Sequence, residues 1–241
     1  MSGHSKWSTI KRKKGAADQQ KGKIFTRCAH EIGTAVREGG GPDPAGNPRL
    51  RLAIDKAKTQ NMPNDNIDRA IKRASGELKG DEQFEIKYEG YGPGGVAVLV
   101  ESITDNKNRT VSEVRHCFSR HGGTLGENGC VSWMFSQKGL FFIDKSRSSE
   151  ESLMELALEH GAEDISDDGE LWEVKCSPQD FIGLQNALEN KFQLELAEIQ
   201  MVPSNKIPVS GTDAEKTAKL LQHLEDLEDV MNVYTNADFE E

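Results

Sequence analysis

The chain has 241 residues, 35% of them hydrophobic and 6% aromatic, and a formal net charge of −10. Two or three domains with modest cores fit that length, and the composition is too apolar for wholesale disorder. No apolar run approaches the ~20 residues that a membrane-crossing helix needs, which excludes a helical integral membrane protein. The opening residues, MSGHSKWSTIKRKKG, are basic but lack the apolar stretch of a secretory signal, so a cytoplasmic protein is expected. Cys28, Cys117, Cys130 and Cys176 are scattered without a CxxC pair or a zinc-type Cys–His spacing. Reduced thiols are therefore expected, with no metal and no cofactor.

The charge is not evenly spread. Residues 1–80 carry 17 Lys and Arg against 8 Asp and Glu, a balance of +9, whereas residues 81–241 carry 13 against 32, a balance of −19. This is the pattern of a basic binding module joined to acidic domains.

In chain order, residues 1–16 have no apolar periodicity and read as an arm. From about Asp18, Ile24, Phe25, Cys28, Ala29, Ile32, Ala35 and Val36 fall on one helical face. Gly39, Gly40, Gly41 and Pro42 stop that helix. Asn47 then caps a second, with Pro48 at its first position, and Leu50, Ala53, Ile54 and Ala57 face inward. Asn61 ends it, and Pro63-Asn64 opens a third helix, with Ile67, Ala70, Ile71 and Ala74 inward. The segment Ser75 to Gly80 reads as a linker. A small three-helix domain over residues 1–80 is predicted.

The remainder alternates strands and helices. Strands are predicted at 85–89 and 96–103 around the turn Gly92-Pro93-Gly94-Gly95. A capping box at Thr110 to Glu113 opens a helix, and a strand follows at 130–135. Residues 140–202 then run strand, helix, strand, strand, helix, strand, the ferredoxin-like order. A further strand at 207–209, a helix opened by Thr212 to Glu215 and a strand at 230–235 complete the chain. Joined to residues 96–135, they repeat the six-element order. The expected fold class is therefore α+β: an N-terminal three-helix domain followed by two ferredoxin-like α/β domains, one inserted in the other. The expected boundaries are 1–80 for the basic domain, 81–136 with 204–241 for a discontinuous acidic domain, and 137–203 for the inserted one.

Lys6, Lys11, Arg12, Lys13, Lys14, Lys21, Lys23 and Arg27 lie within 27 residues, opposed only by Asp18, with His4 and Trp7 among them. Cations neutralise phosphates and release condensed counterions, and an indole stacks on an unpaired base. A solvated basic tail is the plainer reading of the arm taken alone. The helices that follow argue against it. Arg49 and Lys56 share a helical side, as do Arg51 and Lys58, and Arg69, Lys72 and Arg73 lie off their helix's apolar stripe. If six to ten of these cations touch phosphate, log affinity falls against log salt with a slope of roughly −5 to −9.

Little else in the sequence carries chemistry. Gly39 to Pro42 lacks the spacing of a phosphate loop. His116 and His121 are five apart, off the spacing of a metal-binding helix pair. Glu101 and Asp105 are a formal carboxylate pair without an evident nucleophile. A non-enzyme is expected, with a nucleic acid as its partner and no small-molecule substrate.

Several strings closely resemble one family. They are Gly3-His4-Ser5-Lys6-Trp7, Gly22-Lys23-Ile24-Phe25-Thr26, Asn47-Pro48-Arg49-Leu50-Arg51-Leu52-Ala53-Ile54 and Asn61-Met62-Pro63. Tyr88-Glu89-Gly90-Tyr91-Gly92-Pro93-Gly94-Gly95 and Thr104-Asp105-Asn106-Lys107-Asn108-Arg109-Thr110 follow in order. The chain resembles the YebC/PmpR family, also called the TACO1 family, over nearly its whole length. The resemblance implies a helical N-terminal domain and two α/β domains, one inserted in the other. It also implies one of two activities. Bacterial members are described as DNA-binding transcriptional regulators. Others are translation factors, a mitochondrial activator and bacterial relatives linked to ribosomes stalled on proline-rich stretches. The matching strings do not choose between them.

Overall fold

A computed structural model describes residues 17–78 and 83–239. The first three helices are α1 (Ala17–Glu38), α2 (Pro48–Thr59) and α3 (Asn64–Ala74). Their apolar stripes meet as read from the sequence, around Cys28, Ile32, Val36, Leu50, Ala57 and Ile67. Ala35, Ala53 and Ala70 at the contacts let the helices approach closely. Asn47 is fully buried between α1 and α2. Its Oδ1 accepts from the Leu50 N–H at 3.0 Å, while its Nδ2 donates to the Ala35 and Gly41 carbonyls at 2.8 and 2.9 Å. One side chain thus satisfies the start of α2 and the end of α1. Asn61, with φ 58°, takes the left-handed conformation that ends α2.

The rest comprises β1 (Phe84–Tyr91), β2 (Ala97–Thr104), α4 (Lys107–Arg120), β3 (Thr124–Leu125), β4 (Phe135–Asp144), α5 (Glu150–Glu159), β5 (Ala162–Asp168), β6 (Leu171–Cys176), α6 (Phe181–Glu189), β7 (Leu194–Pro203), β8 (Ile207–Val209), α7 (Gly211–Asp226), β9 (Val230–Thr235) and β10 (Ala237–Phe239). One antiparallel sheet has the order β5-β6-β4-β7. With α5 and α6 between its strands in sequence, this is the ferredoxin-like arrangement. Phe141, Ile143, Leu153, Val174, Leu184 and Leu188 form its core. The sheet enters and leaves through adjacent strands, with Phe135 paired to Pro203 and the pairing running on to Ile143 and Leu194.

The other sheet has the order β3-β1-β2-β9. The helices α4 and α7 cover one face around Val98, Val100, Phe118, Leu220, Leu221 and Leu224. The fold class is the α+β one expected, but three local assignments change. First, β1 stands where the sequence reading placed β8. The strand β1 pairs with β2 over eight residues, whereas β8 has three, with Pro208 in the middle, and a proline cannot serve a two-sided ladder. β8 instead pairs in parallel with β10.

Second, no strand forms at 130–134. The buried Glu89 carboxylate accepts from the Gly129, Val131 and Ser132 N–H groups at 2.7–2.8 Å, removing the donors a ladder would need, and Ser132–Met134 is a 3-10 turn. Third, α4 begins before the predicted capping box. Asn106 caps it, accepting from the Arg109 N–H at 3.1 Å, and Thr110 is a buried residue of its first turns. Among the described residues, no helix is long and apolar enough to cross a membrane.

Candidate nucleic-acid interface

The candidate cations separate into distinct groups. His4, Lys6, Trp7, Lys11, Arg12, Lys13 and Lys14 lie outside the described residues, and Lys21 lies on α1 with its side chain outside them. Lys23 and Arg27 turn toward the other sheet: Lys23 Nζ donates to the Glu225 carbonyl, and Arg27 donates to Asn232 Oδ1 at 2.9 Å. His30 Nδ1 meets Glu85 at 3.0 Å. This face of α1 therefore docks the helical layer onto the β-sheet unit.

Arg49 and Lys56 are paired with Glu38 and Glu31, each at 2.8 Å. They line a cleft between α1 and α2 whose wall also includes Glu85. Arg37 reaches this cleft as well, so three carboxylates face three cations and the described lining is close to neutral.

The opposite cleft, between α1 and α3, is different. It encloses 480 Å³ and is bordered by Arg37, Arg69 and Arg73, with His30, Asn66 and Gln83, and among the described residues no Asp or Glu lines it. The three arginines are exposed, and none has an ion pair among the described residues. Lys72, Arg51 and Lys58 are likewise exposed. Positive charge without a carboxylate partner leaves an outward potential for an anion to meet. The sequence reading overlooked Arg37. It lies one turn after the buried Gly33 of α1, where a Cβ would sit in ordinary contact, 3.4 Å from an Arg37 nitrogen.

The other polar clusters are structural. Glu101 is held by Lys87, Asn232 and Tyr234, and Asp105 by Arg109, so the two carboxylates do not converge. Burial pushes the Cys28, Cys117, Cys130 and Cys176 thiols up, away from reactive thiolates. His121 Nε2 and His223 Nδ1 share a hydrogen bond of 2.6 Å. Among the described residues no group of three His, Cys, Asp or Glu could hold a metal ion.

A basic helical layer and two four-stranded antiparallel sheets covered by helices define a helical-plus-α+β class of protein. The chain belongs to the TACO1/YebC family: residues 5–77 match the model of its N-terminal domain and residues 83–237 that of its second and third domains. It is similar to a "Probable transcriptional regulatory protein" of Desulfatibacillum aliphaticivorans, 54% identical over 99% of this chain and 96% of the relative. Relatives given the same description in Geobacter sulfurreducens and Syntrophus aciditrophicus are 56% and 57% identical, each covering 99% of this chain and 96% of the relative. Among solved structures, the conserved hypothetical protein Aq1575 from Aquifex aeolicus superimposes with a TM-score of 0.73 at 46% identity, covering 92% of each chain.

Proposed function

We propose that this protein is a DNA-binding transcriptional regulator that grips the phosphate backbone through its basic N-terminal layer, residues 1–80. The two acidic units, 81–136 with 204–241 and the inserted 137–203, keep the anionic mass away from that contact. The observation that carries this reading is the concentration, around α3, of exposed cations that have no ion pair among the described residues. Among the described residues no carboxylate lines the wall bordered by Arg37, Arg69 and Arg73, while Arg49 and Lys56 of the neighbouring cleft are paired with Glu38 and Glu31. The names of the relatives agree with it.

The test is binding of a promoter fragment and of random duplex by fluorescence anisotropy across a salt series. Replacing Arg69, Lys72 and Arg73 by Gln reduces the salt slope by about 3 if each touches a phosphate, at roughly 0.9 per contact. Preference for the promoter over random duplex supports regulation by direct sequence reading, and equal affinity overturns it.

A second reading is a ribosome-associated translation factor acting on ribosomal RNA, activating translation or relieving stalls on proline-rich stretches. It is favoured by the placement of Arg37, Arg69 and Arg73 around a concavity, whereas a helix that reads a major groove projects its contacts outward. Salt-resistant co-sedimentation with ribosomes supports it, and absence from every ribosomal fraction counts against it.

A further inference from the structure

We propose that the α1–α3 cleft receives one unpaired nucleotide, its base against the apolar floor and its phosphate among Arg37, Arg69 and Arg73. The inference rests on reading the basic layer as a polynucleotide-binding surface and says which form of polynucleotide it takes.

Three observations carry it. The cleft encloses 480 Å³, within the range of about 300–1,000 Å³ that small-molecule sites occupy. Its lining is divided by chemistry. Phe25, Ala29, Met62 and Ala70 supply apolar surface, while the arginines supply charge. His30, Asn66 and Gln83 add donors and acceptors suited to a base edge. Among the described residues, no carboxylate in the cleft wall repels a phosphate or occupies the guanidinium groups.

A duplex meets such a cleft poorly. It presents phosphates on a convex surface and keeps its base faces stacked inside, so placing a base between two packed helices requires flipping it out. A single strand offers both base face and phosphate at once.

Gly33 provides a substitution that fills the cleft without removing charge. It is buried on α1 in the cleft wall. The nearest atoms to a Cβ there would be Arg37 nitrogens at 3.4 and 3.8 Å and the Ala74 Cβ at 3.8 Å, within ordinary contact distance. Gly33→Leu therefore projects apolar bulk where the base would lie, and Gly33→Ala is the control that adds a single methyl.

The experiment measures the affinity of the full chain for a labelled oligodeoxythymidylate and for its duplex with oligodeoxyadenylate, over a salt series. The single strand is expected to bind more tightly than the duplex. Gly33→Leu is expected to weaken the single strand about tenfold, the scale of one lost base stack, with the duplex affinity unchanged. Arg69→Gln with Arg73→Gln lowers the salt slope.

A folded Gly33→Leu protein, judged by thermal melting, that binds the single strand as the wild type does overturns the proposal. So does one that loses single strand and duplex equally. A readout that needs no variant is competition on the wild-type chain. Thymidine 5′-monophosphate displaces the oligonucleotide at lower concentration than inorganic phosphate if a base is held, and equal competition reduces the cleft to an anion site. Duplex binding with cleft variants that change nothing overturns this inference alone. A wild-type chain that binds no polynucleotide removes the proposed function as well.

Discussion

Asp229 ties three elements together through one carboxylate. The Thr110 and Thr104 hydroxyls donate to Oδ2 at 2.6 and 3.0 Å, and Arg109 Nη2 reaches both oxygens at 2.9 and 2.8 Å. The N-terminal turn of α4, the end of β2 and the entry to β9 are thereby held in register. The motif from Thr104 to Thr110 is thus a structural latch. Burial pushes the Asp229 carboxyl up, but the hydrogen bonds from Thr110, Arg109 and Thr104 outweigh it and hold the group below its ordinary value. Because the folded form is the stronger acid, the latch stabilises fully above the unfolded-state value and weakens as pH falls toward the folded one. Asp229→Ala should cost about 3 kcal/mol at neutral pH, the scale of hydrogen bonds to a charged group lost with the Thr104 and Thr110 hydroxyls left buried. Denaturant titrations of both proteins at neutral and acidic pH check this: the gap between them should narrow in acid, and a gap constant with pH rejects the latch.

At the scale of elements, the junction of α1 and α2 is the most tightly specified. Asn47→Ala removes the cap of α2 and both donors to the end of α1, and should cost about 2–3 kcal/mol. Gly39→Ala should be costly for the same geometry, since its Cβ would lie 2.5 Å from the Ala35 carbonyl oxygen and 2.6 Å from Asn47 Oδ1. Equilibrium unfolding midpoints measure both, and a change under about 0.5 kcal/mol for either, the usual range for surface positions, would reject this account. Asn47-Pro48 was legible in the sequence because a cap acts within three residues. Thr110 was misread as the start of α4 because its carboxylate partner lies 119 residues further on. The same limit explains the loop after Gly129, whose N–H groups are taken by Glu89, about forty residues earlier. It also explains β8, whose partner β10 was not read as a strand.

Across the whole molecule, the division into a basic layer and acidic sheets is visible in residue counts, because net charge adds along the chain without reference to contacts. Which cations remain available to a ligand is not visible there: Lys56 meets Glu31 and Arg27 meets Asn232 only through the fold. Nor could periodicity reveal the α1–α3 cleft, which arises between helices. The paired passage of β4 and β7 has a different consequence. Phe135, opposite Pro203, packs with Met201 against Leu99 and Tyr234 of the β3-β1-β2-β9 sheet, while Gly139 and Ile199 are already partners further along the same ribbon of the inserted, second sheet. Everything beyond them can be excised and the two ends joined by a two-residue turn of the kind that closes hairpins. Such a shortened chain should still melt in one cooperative transition by calorimetry, and loss of that transition would show that the two sheets fold only as a unit. The second sheet is then a cassette on a closed ribbon, which evolution or an experimenter can exchange without opening the frame that carries it.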